Sequence, residues 1–172
     1  MSVTIAGTKL KKMTHNGQTV KKWVHDGVTV LNSKLSLYNR GDTCASATGG
    51  WKTYSYPGSN AFTFNADHVY YGAGETSGVF VTAVPIDVTG YSTLKMTCQL
   101  TSMNALAQFG LNASAPTDEL DAYYGKLEHY VNVGTSASEV TYTLDISGIT
   151  GSFYVEYAFW KSVGRIYEIW LE

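Results

Sequence analysis

Apolar side chains recur at every second position over much of this chain, and that period limits what it can fold into. Leu94, Met96, Cys98 and Leu100 alternate with Lys95, Thr97 and Gln99. Val140, Tyr142, Leu144 and Ile146 alternate with Thr141, Thr143 and Asp145. Phe153, Val155, Tyr157 and Phe159 alternate with Tyr154, Glu156 and Ala158, and Tyr167, Ile169 and Leu171 with Ile166, Glu168 and Trp170. A period of two sends one row of side chains to each face of a strand, which a helix of period 3.6 does not do. One apolar and one mixed face per strand is the pattern of two antiparallel sheets packed together. Seventeen glycines, thirteen tyrosines and only three prolines in 172 residues suit many strands joined by tight turns. Cys98 falls in the apolar row and is expected to point into the core; a cytoplasmic compartment favours free thiols at Cys98 and Cys44, with a Cys44–Cys98 disulfide as the alternative. Cys44 is far from it and shows no metal-ligand spacing.

The N-terminal part reads differently. Residues 11–20, KKMTHNGQTV, are followed by KKWVHDGVTV at 21–30, identical at six of ten positions. Asn16-Gly17 and Asp26-Gly27 are dipeptides that accept the positive φ angles of a type I′ turn. The spacing predicts a three-stranded meander over roughly residues 8–32. In it Thr14 faces Thr19, Leu10 faces Trp23, Val24 faces Thr29 and Trp23 faces Val30. So small a sheet is marginal alone and needs a surface to pack on. Charge divides at the same place. Residues 1–34 carry six lysines against Asp26, a balance of +5, and the remainder carries −7. We therefore expect a basic attachment module over residues 1–34, with Lys11, Lys12, Lys21, Lys22 and Trp23 as its contact residues, and a second domain over 35–172. A solvated sheet face kept soluble by its lysines is the competing reading.

His15 and His25 flank the two turns, and no third ligand of suitable spacing follows them. Met1 leads into a polar segment with no apolar stretch of signal-peptide length, so synthesis and folding in a bacterial cytoplasm are expected. No apolar run approaches a membrane span. Residues 117–131, TDELDAYYGKLEHYV, mix helical and alternating spacing and read as an acidic loop leading into a strand near Leu127.

Several phrases carry a resemblance. LYNRGDTCASATGGW (37–51), VPIDVTGYSTLKM (84–96), TLDISGITGSFYVEY (143–157) and the ending IYEIWLE resemble jelly-roll domains of the galactose-binding-like and carbohydrate-binding-module type. Together with the KKWVHDGVTV repeat they also resemble tail and appendage proteins of bacteriophages and prophages. The fold expected is thus all-β, an N-terminal three-stranded hairpin repeat followed by an antiparallel jelly-roll β-sandwich. The function the resemblance implies is a virion structural or appendage protein, homo-oligomeric and bound to other virion proteins. The alternative is a carbohydrate-binding module for cell-surface glycans.

No catalytic constellation is present. The sequence lacks GxSxG, HExxH, a phosphate-binding glycine loop and CxxC, so no enzyme is expected. Asp118, Glu119 and Asp121 form the densest acidic cluster. It reads as a solvated turn or, alternatively, as oxygen ligands for a structural calcium ion, the one cofactor considered, and last as paired carboxylates for glycoside hydrolysis. Nucleic acid is not an expected partner, because the larger domain is acidic and the lysines of the smaller one lack interleaved aromatics. Flat rings beside amides and carboxylates suit sugars and protein interfaces alike. Trp51, Tyr54, Tyr123 and Tyr124 are the residues chosen as ligand-binding candidates, with core filling or subunit contact as the competing role.

Overall fold

A computed structural model describes residues 34–56, 61–72, 77–117 and 127–172, and within residues 1–33 the backbone of six short strands. Those strands are β1 (Val3–Ile5), β2 (Thr8–Leu10), β3 (Thr14–His15), β4 (Gln18–Thr19), β5 (Lys22–His25) and β6 (Val28–Asn32). They pair antiparallel as β1–β2, β3–β4 and β5–β6. Thr14 faces Thr19 and Val24 faces Thr29. Leu10 faces Val3 rather than Trp23, and Trp23 faces Leu31 across a register shift rather than Val30. The ladders described there are two-stranded, and the expected three-stranded sheet is not among them. The nearer strand, β1, takes the Leu10 edge, as the lower entropy of a short closure favours. The turn residues Asn16, Gly17, Asp26 and Gly27 lie outside the described residues.

The rest of the chain is built on strands, with one short helix. In order they are β7 (Leu35–Asn39), α1 (Ala45–Thr48), β8 (Trp51–Tyr56), β9 (Phe62–Phe64), β10 (Val69–Tyr71), β11 (Ser77–Thr82) and β12 (Ile86–Asp87). There follow β13 (Thr93–Asn112), β14 (His129–Asn132), β15 (Val140–Asp145) and β16 (Ser152–Leu171). β13 and β16 are each 20 residues long and pair with each other along nearly their whole length. A straight strand of that size would span roughly 65 Å, several times the thickness of a sandwich, so both must bend. The ladder shifts register between Leu100 and Ser102 and again between Met103 and Leu106, and Lys161 opposite takes a positive φ of 48°. Strands that change sheet at bulges make the corners of such folds.

Two antiparallel sheets result. The first joins β15, the N-terminal half of β13 and the C-terminal half of β16, with β7 and β10 sharing the far edge of β16 and β9 beyond β10. The second runs β14, the C-terminal half of β13, the N-terminal half of β16, β11 and β8. Their facing sides form one core. Leu94, Met96, Cys98 and Leu100 come from the first sheet, and Phe80, Phe109, Leu111, Val155, Tyr157 and Phe159 from the second. The alternating rows read from the sequence are therefore the core rows of β13 and β16.

One row departs from the expectation. Cys98 pairs with Ile166 and Thr97 with Glu168, which leaves Tyr167 as the extra residue of a bulge. Ile166, not Tyr167, fills the core there, and the Tyr167 hydroxyl instead reaches the Gln99 Oε1 at 3.4 Å.

Both cysteines are free thiols. Cys98 is fully buried, and burial pushes its pKa up to about 12. The buried Tyr157 hydroxyl donates to that of Tyr71 at 2.7 Å, and burial raises both phenols well above their ordinary value. These groups stay protonated in the fold at pH values where the unfolded chain ionises, so protons leave on unfolding and stability falls as pH rises. Urea midpoints should therefore decline from pH 8 towards pH 11, and less steeply in Cys98→Ala. Gly164 marks a close approach near the corner, since a Cβ there would overlap the Gln99 carbonyl oxygen and the Tyr71 hydroxyl. Gly164→Ala should cost about 2 kcal/mol or more in urea unfolding, as overpacking against backbone does.

Candidate functional site

The outer face of the second sheet has an unusual distribution of side-chain sizes. Cross-strand partners share a face, so the register defines its rows. One row reads Tyr54, Val79, Ala158, Gln108, Asn132 from β8 across to β14. The next reads Lys52, Val81, Glu156, Gly110, Tyr130. Towards the corner lies Tyr56, Ser77, Trp160, Leu106, and on the other side Tyr154 faces Asn112. Ser77, Val79 and Val81 on β11, Ala158 on β16 and Gly110 on β13 are small or compact, while Lys52, Tyr54 and Tyr56 stand on β8, Tyr130 on β14, and Tyr154, Glu156 and Trp160 on β16 beside Ala158. The result is a trough with a floor of Ser77, Val79, Val81, Ala158 and Gly110, all buried. Tyr56 and Tyr130 remain 47% and 45% exposed at its two walls, and Tyr54, Tyr154 and Trp160 are half-buried.

The trough has a satellite apolar cluster of its own. Val79, Val81 and Ala158 are buried together with Leu127, just ahead of β14, and Tyr54 and Tyr154 pack against them. Polar groups lie between these apolar ones. The Gln108 Nε2 donates to the Asn132 Oδ1 at 3.1 Å, whereas the Gln108 Oε1 is buried without a hydrogen-bond partner. Glu156 is fully buried in the middle of the next row, and Lys52 is exposed at the wall of that row. Aromatic faces, amides, a carboxyl group and an ammonium thus share one surface.

The outer face of the first sheet is also polar, but its groups are engaged with one another. Arg40 bonds Glu139 at 2.9 Å and Glu168 at 3.1 Å. The Lys34 ammonium lies 3.5 Å from Glu168 and 4.2 Å from the Trp170 ring centroid, and Lys95 pairs with Glu172. Thr97 and Thr141 hydroxyls join at 2.9 Å.

Of the four ligand candidates chosen from the sequence, Tyr54 stands in the trough. Trp51 belongs to the same strand but lies three residues away, so its side chain projects to the opposite face. There it stacks on Phe80 with centroids 4.1 Å apart and planes 4° from parallel, and its indole N–H donates to the carbonyls of Leu37 and Thr43. Tyr123 and Tyr124 lie outside the described residues, as do Asp118, Glu119, Asp121, Lys11, Lys12 and Lys21 and the side chains of Lys22 and Trp23. Among the described residues no group of three or more His, Cys, Asp or Glu is placed to hold a metal ion. Sequence reasoning did not single out Gln108, Asn132, Tyr130 or Glu156. The available signal was the mixed row Tyr154, Glu156, Ala158, Trp160 alternating against the core row of β16.

No protein-family model matches this sequence, and no curated protein does. Solved structures match by fold. The K2 cleaved adhesin domain of Lys-gingipain superposes with a TM-score of 0.52, at 12% identity, over 81% of this chain and 99% of that one. The K1 cleaved adhesin domain of Lys-gingipain from Porphyromonas gingivalis W83 gives 0.51, at 15% identity, over 82% and 98%. This chain shares their β-sandwich fold. A family 29 carbohydrate-binding module, the D83A mutant of CBM29-2 complexed with mannohexaose, lies further off at 0.48 and 10% identity, over 81% and 90%.

The two β8 aromatics should separate by experiment. Trp51→Ala removes a core stack and two hydrogen bonds and should cost about 3 kcal/mol. Tyr54→Ala trims a half-exposed wall and should cost about 1 kcal/mol. Equilibrium urea unfolding of both variants measures the difference.

Proposed function

We propose that this protein is a non-catalytic carbohydrate-binding module of the jelly-roll type, and that the trough on the outer face of its second sheet holds the glycan. The observation that carries this reading is the register itself, which sets aromatic rings along both walls of a floor made of small residues. Sugar rings present apolar C–H faces and hydroxyl edges together. A ligand of that kind gains from flat aromatic walls and from amide and carboxyl groups set between them. Tyr54 and Tyr56 supply ring faces on the β8 side, Trp160 stands on β16 within the sheet, and Tyr130 and Asn132 line the β14 side. The mutually paired charges of the first sheet offer a sugar fewer open donors and acceptors, which favours the trough over that face.

The N-terminal segment, with its surplus of lysine, is in this reading the attachment module that carries the sandwich on a larger assembly, such as a virion appendage or an oligomer of this chain. The division of charge near residue 34 supports it.

Affinity electrophoresis and titration calorimetry against a panel of cell-surface and storage polysaccharides test the glycan role. Tyr54→Ala and Tyr56→Ala should each weaken binding about tenfold, a loss of about 1.4 kcal/mol, with folding retained by circular dichroism. Binding unchanged in both variants, or absent from the intact chain, would refute the proposal.

A further inference from the structure

We infer that a groove at the corner end of the first sheet is a second saccharide site, which takes sugars bearing a carboxylate and reads their charge through Arg165. It goes beyond the glycan reading of the trough and uses none of the trough's residues, so either can fail without the other.

The groove has a volume of about 400 Å³ and is lined by Gln99, Thr101, Thr135, Ser136 and Ala137. It lies between β13 and the loop that leads from β14 to β15. Its size falls within the roughly 300–1,000 Å³ that small-ligand sites occupy. The loop wall is pinned. The Tyr142 hydroxyl accepts from the Gly134 N–H at 3.1 Å and donates to the Gly134 carbonyl at 2.8 Å. The Ser136 N–H donates to the Leu100 carbonyl, and the Gln99 Nε2 to the Ala137 carbonyl, each at 2.8 Å. A wall fixed before the ligand arrives spares the cost of ordering it on binding. Hydroxyls from two threonines and a serine, set beside an amide, match the hydroxyl edge of a sugar.

Charge enters from the β16 side. Gln99 pairs with Arg165, and Arg165 with Tyr70, so amide, guanidinium and phenol follow one another across the outer face. The Gln99 Oε1 accepts from the Arg165 Nη1 at 3.3 Å and from the Tyr167 hydroxyl at 3.4 Å. Its Nε2 meanwhile bonds the groove loop, so the guanidinium starts one hydrogen bond from the groove floor. The ion pairs of this sheet stop short of that point. Glu139 is taken by Arg40, and Glu168 by Arg40 and Lys34, while among the described residues no carboxylate pairs with Arg165. Arg165 is exposed, and a guanidinium offers a planar fork of N–H donors that fits a carboxylate with two parallel bonds. Such charge-assisted bonds are roughly twice as strong as neutral ones. A neutral sugar gains only the groove hydroxyls, whereas an acidic one lying over Gln99 gains Arg165 as well. The half-buried ring of Tyr70 borders the same cation.

The test titrates the isotope-labelled full chain with N-acetylneuraminic acid and with galacturonic acid, following backbone amide shifts by NMR. Galactose and the methyl ester of galacturonic acid are the uncharged comparisons. At least one acid should move the amides of Gln99, Thr101, Ser136 and Arg165, and should bind about tenfold more tightly than the uncharged sugars. Raising sodium chloride from about 0.05 to about 0.5 M should weaken that binding severalfold, because exposed charges are screened. Arg165→Gln should lose about tenfold in affinity for the acid, with folding retained by circular dichroism. Arg165→Lys keeps the charge without the fork and should lose severalfold. Equal binding of acid and ester, or unchanged binding by Arg165→Gln, overturns the inference. Acid binding that is lost in Tyr54→Ala but kept in Arg165→Gln overturns it too, and assigns the acid to the trough. If neither acid moves any amide, this site fails, while the polysaccharide titrations still decide the trough.

Discussion

The ladder between β13 and β16 is the constraint from which the rest of the structure follows. Two strands of 20 residues, paired antiparallel and bent at the same level, place their halves in two different sheets. Every other strand of the sandwich hangs on one half or the other. The inner sides of both halves then face each other, which is why one continuous core draws Leu94 and Phe109 from the same strand. The bend also fixes where a backbone can come close to a neighbour. At Gly164 the approach leaves no room for a methyl group, so the corner depends on an absent side chain as much as on the bulges.

That arrangement explains the trough. On the outer side of the second sheet Val79 and Val81 of β11, Ala158 of β16 and Gly110 of β13 are small or compact, where β8 and β14 carry tyrosines and a lysine and β16 carries Tyr154 and Trp160 on either side of Ala158. A sheet of uniform side chains would give a flat or convex face. Small residues at Val79, Val81, Ala158 and Gly110, set among Tyr54, Tyr130, Tyr154 and Trp160, give a depression instead. The depression carries its own small apolar cluster, so each side of the second sheet is packed, and β11 is buried along its whole length on both faces.

The core was largely legible in the sequence because alternation is a local property. The rows ending in Leu100 and Phe159 could be read from neighbours two residues apart, and they are the rows the sandwich buries. The bend was not legible. Residues 101–106, TSMNAL, contain neither glycine nor proline to announce a corner, and the register slip there is imposed by a strand sixty residues away. The same kind of slip put Tyr167 on the outer face in place of the core. Trp51 follows Gly49-Gly50, a pair that suggests a turn, yet it opens a strand, and parity sends it inward where Tyr54 goes outward. Half of the site was visible as a mixed row on β16. Its assembly was not, because the adjacency of Tyr54, Ala158 and Asn132 is created by pairing between strands that are distant in the chain.

The contrast between the two outer faces carries the last step. Both are polar and both bear a tryptophan, so composition does not distinguish them. What differs is the charge pairing of the first face and the Gln108 amide oxygen of the second. On the first sheet arginine, lysine and glutamate side chains bond one another, and a ligand would have to break those bonds to make its own. Surface pairs of that kind add little stability singly, but they leave few donors or acceptors open. On the second sheet an amide oxygen is held buried and unbonded among apolar groups, which a fold selected only for stability would replace by a methylene. An acceptor buried without a donor costs stability, which sets Gln108 apart from the paired groups of the first sheet.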